Sequence, residues 1–477
     1  MAGSSRPNVV LISLDSVRAD RTVCWPGAPA GDLTPAMGRL AEQAVVFERC
    51  IAHSSWTLPN HATMFTGAYP CDHGLVQAGA EMTAGVVPLA AHLGDLGYGT
   101  ASFSMVPFFI PKADVTTGFQ HVRYPEWRRS GRRVRGVSAA AVKWACRQGD
   151  TPFFLFLHQW GAHWPYVASP GEADAVAEPP ASPAAPLWSP TPLHIRLLQY
   201  YWHRLERVPV LGGLPRWFRR YRRARKARKG IERAPVGKLR NLIADINQGR
   251  RELTDEEVAF LRMRYDRRVA WADGLLGETV DLLRSGVDLD RTLLIVLSDH
   301  GDSLYEHGDF GHMDGLRNPV IHPLMMMRLP GGERGGGRVE GIAGQIDVAP
   351  TVLDCLGVAP RGLVRGTSLL DAAAGDALPE RPMFAELTMP WVRQEALIHE
   401  GRKLFCDRLD GTERLYRYPE DYLEQDDLAA AEPERLQRLR RALADIRSGQ
   451  DTGLLEAAAA PPMDPQVRRR LEELGYL

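Results

Sequence analysis

Two short stretches carry most of the residues able to do chemistry. The first is Ser54–Gly67, SSWTLPNHATMFTG. A proline two residues past Thr57 suits the first turn of a helix, which puts Thr57 at or near the N-cap. A helix N-terminus presents unpaired N–H groups and the positive end of a dipole, a good setting for an oxyanion or phosphate. A threonine hydroxyl becomes a useful nucleophile only when a metal or a base lowers its pKa. Without such help, an isolated Thr-x-Pro reads as a plain cap. His61 follows one helical turn later and faces either the same site or the core. Asn60 beside it reads as helix-surface filler with a hydrogen-bond donor to offer.

The second stretch is Leu297–His312, LSDHGDSLYEHGDFGH. Asp299 and His300 are hard and borderline ligands for a divalent cation. Asp15 ends another apolar run and offers a further oxygen. Two carboxylates, an imidazole and a nearby threonine hydroxyl would make a compact metal-assisted site. Asp302 and His307 read either as second-layer partners that orient these ligands or as ordinary loop and cap residues. His158 reads as a satisfied core histidine, and His73 and His322 as structural. Arg18 and Asp20 are expected to pair or to cap the first helix.

These groups must be carried by something rigid. Asn8–Leu14, Phe153–Leu157 and Thr292–Leu297 are continuous apolar runs of strand length, as expected for strands buried on both faces. Leu324–Met327 is a weaker case, read as a buried strand because thioethers suit soft metals. Helical patterns lie between them at Thr34–Gln43, Leu89–Leu96, Val137–Arg147 and Asp255–Ser285. Strands alternating with helices predict an α/β fold with a mostly parallel central sheet flanked by helices. Asp15, His158 with His163, and Asp299–His300 each follow a predicted strand. Ligands of open α/β sheets bind at the carboxyl ends of strands. Convergence there is the reading that owes nothing to a motif.

The chain has 477 residues, 58 basic and 58 acidic, so its overall charge selects no partner. The length predicts one large domain and one smaller: residues 1–375, then a C-terminal α+β domain over 376–477. In the latter, Phe384–His399, Lys403–Asp407 and Arg414–Tyr418 read as strands, and Glu432–Ile446 and Pro465–Leu474 as helices. Residues 167–251 break the rhythm and read as an insert or lid. Within it, Pro215–Arg240 holds 12 Lys/Arg against one Glu. That run reads as a solvated helix or as a contact for an anionic membrane surface or anionic substrate. Nucleic acid is the weakest reading, because no groove-reading motif accompanies it. Six scattered cysteines form no CxxC pair, no signal-peptide pattern precedes Asp15, and no apolar run is long enough to span a membrane. The expected location is the cytoplasm.

Taken in order, LISLDSVRAD, TPAMGRLAEQAVVFERCIAHSSWTLPNHATMFTGAYP, FFLFLHQWGAHWPY, LLIVLSDHGD and GQIDVAPTVLDCLGV resemble the sulfatase-like family of the alkaline phosphatase superfamily. The resemblance runs from about residue 7 to residue 370, and the closing ELGYL is also typical. It implies the family's large α/β domain with a smaller C-terminal one. It implies one divalent cation (Mg, Mn, Ca or Zn) held by Asp15, Asp299 and His300, with Thr57 as a nucleophile that also contacts the metal. It places His163 and His312 where substrate oxygens are held or the leaving group is protonated.

The departures matter as much. Sulfatases proper carry Cys or Ser in a C/S-x-P-S-R motif that becomes formylglycine; here the residues are Thr57-Leu58-Pro59-Asn60-His61. Threonine cannot give that aldehyde hydrate, because its Cβ bears a methyl group. The family's second leading Asp is Ser16, and its Lys-x-His pair is Met105-Val106-Pro107. Relatives with threonine nucleophiles act on phosphorus. The expected activity is therefore hydrolysis or transfer at a phosphate ester or phosphodiester, with an anionic ester as substrate. The alternatives are a sulfate-ester hydrolase using unmodified Thr57, and an inactive relative docking through its basic insert.

Overall fold

The computed structural model describes residues 6–26, 33–106, 108–110, 113–124, 131–164, 166, 243 and 245–448. In chain order the strands are β1 (Asn8–Leu14), β2 (Val45–Ile51), β3 (Gly99–Phe103), β4 (His121–Arg123), β5 (Phe153–Gln159), β6 (Thr292–Ser298), β7 (Ser303–Leu304), β8 (Phe310–Gly311), β9 (Met325–Arg328), β10 (Arg338–Gly344), β11 (Met383–Met389), β12 (Val392–His399), β13 (Arg402–Asp407) and β14 (Glu413–Arg417). Eight of them form one sheet in the order β10-β2-β9-β6-β1-β5-β3-β4. All pairings in it are parallel except those of β9, which runs antiparallel to both β2 and β6. The predicted α/β sheet is thus the observed one.

The reason β1, β5 and β6 read clearly is burial. Every residue of β5 and β6, and six of seven in β1, is shielded from water. Helices cover both faces, so polar residues have no place until the strands end. The helix Asp255–Gly286 is the longest, and it opens with a capping box between Thr254 and Glu257. It sends Tyr265 into the site region, where the phenol donates to Ser16 O at 2.7 Å and accepts from Arg18 N at 2.8 Å.

β11 to β14 form a separate antiparallel sheet backed by the helix Pro433–Ser448. Pro465–Leu474, the insert from residue 167 to residue 242 and its basic run at 215–240 lie outside the described residues. Among the described residues, no helix is long and apolar enough to cross a membrane.

Candidate active site

Parallel strands in register deliver their last residues to one row. Ser13 on β1 is level with His158 on β5 and Leu297 on β6. Asp15 lies two residues beyond Ser13, and so on the same face, because side chains alternate along a strand. Asp299 lies two beyond Leu297. The sheet therefore brings Asp15, His158 and Asp299 together at its carboxyl edge, all fully or almost fully buried.

Backbone and side-chain donors then fix each carboxylate through one oxygen. Asp299 Oδ1 accepts from Ser16 N at 3.0 Å and His300 N at 2.9 Å. Asp15 Oδ1 accepts from Ser16 Oγ at 2.8 Å. Ser16 holds a positive φ of 59°, a conformation that brings both donors of one residue onto two different carboxylates. The loop after β5 packs against Asp15 so closely that a Cβ on Gly161 would sit 2.4 Å from Asp15 O. Only glycine fits there.

The other oxygens, Asp15 Oδ2 and Asp299 Oδ2, are buried without a hydrogen-bond partner among the described residues. His300 Nε2 lies 3.5 Å from Asp299 Oδ2 and 3.5 Å from Thr57 Oγ1. The His300 Nδ1–H donates to Gly301 O at 2.9 Å. That bond makes Nε2 of the neutral ring an acceptor. Two carboxylate oxygens and a ring lone pair thus converge, all buried, with the Thr57 hydroxyl beside the ring nitrogen. Asp15, Asp299 and His300 offer ligand atoms within 4.8 Å of one another. A divalent cation is the group this donor set fits, with oxygen and imidazole ligands of the hard to borderline kind.

Without a cation, the pair cannot carry two charges in so dry a place. Burial raises the Asp15 carboxyl well above the usual range, and the charge of Asp299 raises it further. Burial would raise Asp299 too, but His300 and the other imidazoles around it hold it low. The two carboxyls are thereby pushed apart, Asp15 upward and Asp299 downward.

Thr57 is the first residue of the helix Thr57–Thr66, one past the N-cap Trp56, and the whole helix is buried. His61 is one turn on. Its Nδ1–H donates to Thr57 O at 2.7 Å, and its Nε2 accepts from Ser13 Oγ at 2.8 Å. Burial pushes its pKa down to about 3, so it sits neutral and holds the helix against β1. Asn60 is not on a helix surface, as its sequence setting suggested. It is fully buried, and its Nδ2 donates to Asp299 O at 2.9 Å. Gln345, which the sequence did not single out, donates to the same carbonyl at 2.7 Å. Only the apolar run after Gly344 placed it near any element end.

His312 Nδ1 lies 2.6 Å from Asp302 Oδ1, and Tyr166 donates its hydroxyl to Asp302 Oδ2 at 2.7 Å. The rings of His300 and His312 are 4.3 Å apart, and those of His163 and His312 5.0 Å. The His163 Nδ1–H donates to Trp164 O at 2.6 Å. His163 and His312 therefore stand beside the carboxylate cluster, as two imidazoles with fixed orientations. Asp302 takes the orienting place expected of it. His307 does not, since it turns away to Leu423 O at 2.6 Å. His73 and His322 hold local structure through Leu75 N and Glu48 O. Arg18 pairs with Asp20 at 2.7 Å and also with Glu306 at 2.6 Å.

His158 departs from its expected role. It is buried, but it is not a satisfied core histidine: neither ring nitrogen has a hydrogen-bond partner among the described residues.

The Sulfatase family profile matches residues 7–358. Choline-sulfatase of Rhizobium meliloti (strain 1021) is 23% identical over 457 residues, covering 89% of this chain and 83% of that protein. Arylsulfatase K of Danio rerio is 36% identical over 117 residues, 24% of this chain and only 22% of that protein's length. Among solved structures, the phosphonate monoester hydrolase of Agrobacterium radiobacter superposes with a TM-score of 0.67 at 20% identity, over 93% of this chain and 96% of that one. With the fold, the sheet-edge carboxylates and the family profile in agreement over most of its length, the chain belongs to the sulfatase family.

Proposed function

We propose that the chain hydrolyses a phosphate monoester or diester through a covalent intermediate on Thr57. The observation that supports this is the acceptor-only cluster of Asp15, Asp299 and His300 with the Thr57 hydroxyl 3.5 Å from His300 Nε2. Asp15, Asp299, His300 and Thr57 would hold the cation. When bound, it supplies Lewis acidity that favours the ionised hydroxyl and offsets charge on the substrate.

The rest falls to the chain's own residues. Thr57 Oγ1 forms a bond to phosphorus in line with the departing alkoxide, while the phosphorus–oxygen bond of the leaving group breaks. His312, steadied by Asp302 and Tyr166, or His163 beside it, gives a proton to the leaving oxygen. The same imidazole then takes a proton from water as that water attacks phosphorus and releases Thr57. Another hydroxyl in place of water would give transfer. A threonine ester has no second hydroxyl on its carbon to expel the bound group. Release must therefore come by attack at the central atom, which phosphorus esters undergo readily.

Sulfate-ester hydrolysis by unmodified Thr57 is the second reading, favoured by the names of the sequence relatives. Paired assays with 4-nitrophenyl phosphate, bis(4-nitrophenyl) phosphate and 4-nitrophenyl sulfate separate the two. A preference for the sulfate ester, kept in Thr57→Ser and lost in Thr57→Ala, would replace the phosphate reading. An inactive relative would show no turnover and no change of metal content in Asp15→Ala or Asp299→Ala. The basic run 215–240 is proposed to meet an anionic substrate or membrane surface, and its deletion is expected to alter substrate range. The six cysteines, scattered along the chain with no CxxC pair, support a cytoplasmic location.

A further inference from the structure

His158 is the buried group that the mechanism does not use. Its Nε2 lies 3.7 Å from Asp15 Oδ2 and 3.9 Å from Asp299 Oδ2. Those are the same two oxygens that have no hydrogen-bond partner among the described residues. The distances are too long for hydrogen bonds. They lie within what a shared cation spans: bonds of about 2.0–2.1 Å put the atoms of a five-coordinate set about 3–4 Å apart. The imidazole forms a possible ligand group with His61 and Asp299, which shares the Asp299 carboxylate with the group of Asp15, Asp299 and His300. His61 is already engaged at both nitrogens, by Thr57 O and Ser13 Oγ. His158 is engaged at neither.

We propose that His158 is a direct ligand of the divalent cation, through Nε2, completing the site where the resembling family has a second leading aspartate and this chain has Ser16. The inference rests on the metal site proposed above and deepens it. Charge supports it. Two carboxylates already neutralise a divalent cation, so a further ligand is best neutral, and an imidazole is neutral where an aspartate is not. Placement supports it too. Ser16 spends its hydroxyl and its N–H on the two carboxylates, leaving β5 as the strand next to Asp15 that can reach the cation from the other side. A set of two imidazoles, two carboxylates and a hydroxyl is nitrogen-rich. It favours zinc, cobalt or manganese over calcium, which takes six to eight oxygens.

The test uses the full chain stripped of metal and titrated with cobalt(II) alone, read by visible absorption and by competition with zinc. X-ray absorption of the zinc-loaded wild type counts coordinated imidazoles. The expected result is one cation per chain and two imidazoles. In His158→Gln the count falls to one, cobalt binds about 100-fold more weakly, and its absorption bands shift; in His61→Gln the count stays at two. Excess calcium displaces little cobalt from the wild type. A single imidazole in the wild type, or a His158→Gln protein with unchanged affinity and spectrum, overturns the His158 assignment and leaves the metal site standing. A wild type that binds no cobalt or zinc overturns both. If His158→Gln fails to fold, the wild-type imidazole count against that of His61→Gln still decides.

Discussion

The carboxyl edge of the large sheet and the small antiparallel sheet of β11 to β14 both bury charge, and they handle it in opposite ways. In the small sheet each buried charge meets a counter-charge. Lys403, fully buried, donates to Glu424, to Asn318 Oδ1 at 3.0 Å and to Leu316 O at 2.6 Å. Glu395 is gripped by Arg408 and Arg447. Glu386 is the exception: burial and the neighbouring Glu395 push its pKa up to about 7 against the weaker pull of Arg447. At the large sheet's edge, by contrast, two carboxylate oxygens without hydrogen bonds among the described residues face two imidazoles. A fold that can pair its charges elsewhere leaves them unpaired here, and such a place is a ligand site before it is a structural one.

Substitution tests that contrast, and the largest effect is expected at the edge. Asp299→Ala should lower turnover on the order of 1,000-fold or more and empty the metal site, read by steady-state rates and elemental analysis. Thr57→Ala should match that loss of rate, while Thr57→Ser keeps turnover within about tenfold. In the small sheet, Lys403→Ala should leave metal content alone and cost about 3 kcal/mol in urea unfolding, because Glu424 is left buried with only Arg317, 3.7 Å away, as counter-charge. Asp15→Asn should do the reverse at the edge. It removes metal binding and slightly stabilises the metal-free fold, since it deletes a carboxyl that burial disfavours.

Glu386 sharpens the comparison through pH. Its folded pKa of about 7 lies above the ordinary value of 4.5, so the folded state holds the proton more tightly than the unfolded one. Stability from this group is full below about pH 4.5 and is lost as pH rises through 7. Glu386→Gln should therefore equal the wild type in stability below pH 4.5 and exceed it by about 3 kcal/mol well above pH 7. The smallest effect is expected at Asn60. Asn60→Ala leaves Ser54 N without its partner and Asp299 O with only Gln345, and should cost about 2 kcal/mol with a modest fall in turnover.

Much of this was legible beforehand, and for a physical reason. β1, β5 and β6 are buried on both faces, so their sequences are unbroken apolar runs, and the first polar residue marks the strand end. Asp15, Asp299 and His300 stood out on that ground. β2, with Glu48 and Arg49 near an edge, and β10, with Arg338 and Glu340 beside water, carry no such run and were not predicted. β9 reads like its neighbours yet runs antiparallel, since direction leaves no trace in a buried apolar run. Asn60 and Gln345 were misread or missed because each acts on the Asp299 carbonyl, a backbone atom that no side-chain spacing announces. His158 was misread because a histidine inside a strand usually has its partners. Among the described residues it has none at hydrogen-bond distance.

The central claim is that the hydroxyl of Thr57 is the atom that attacks, beside a cation held by Asp15, Asp299 and His300. A crystal structure of the metal-loaded protein soaked with vanadate tests it most directly. The account predicts vanadium bonded to Thr57 Oγ1, an apical oxygen opposite it, and His163 or His312 within hydrogen-bond reach of that oxygen. Vanadate bound with a water between it and Thr57, or held away from Asp15 and Asp299, would contradict it.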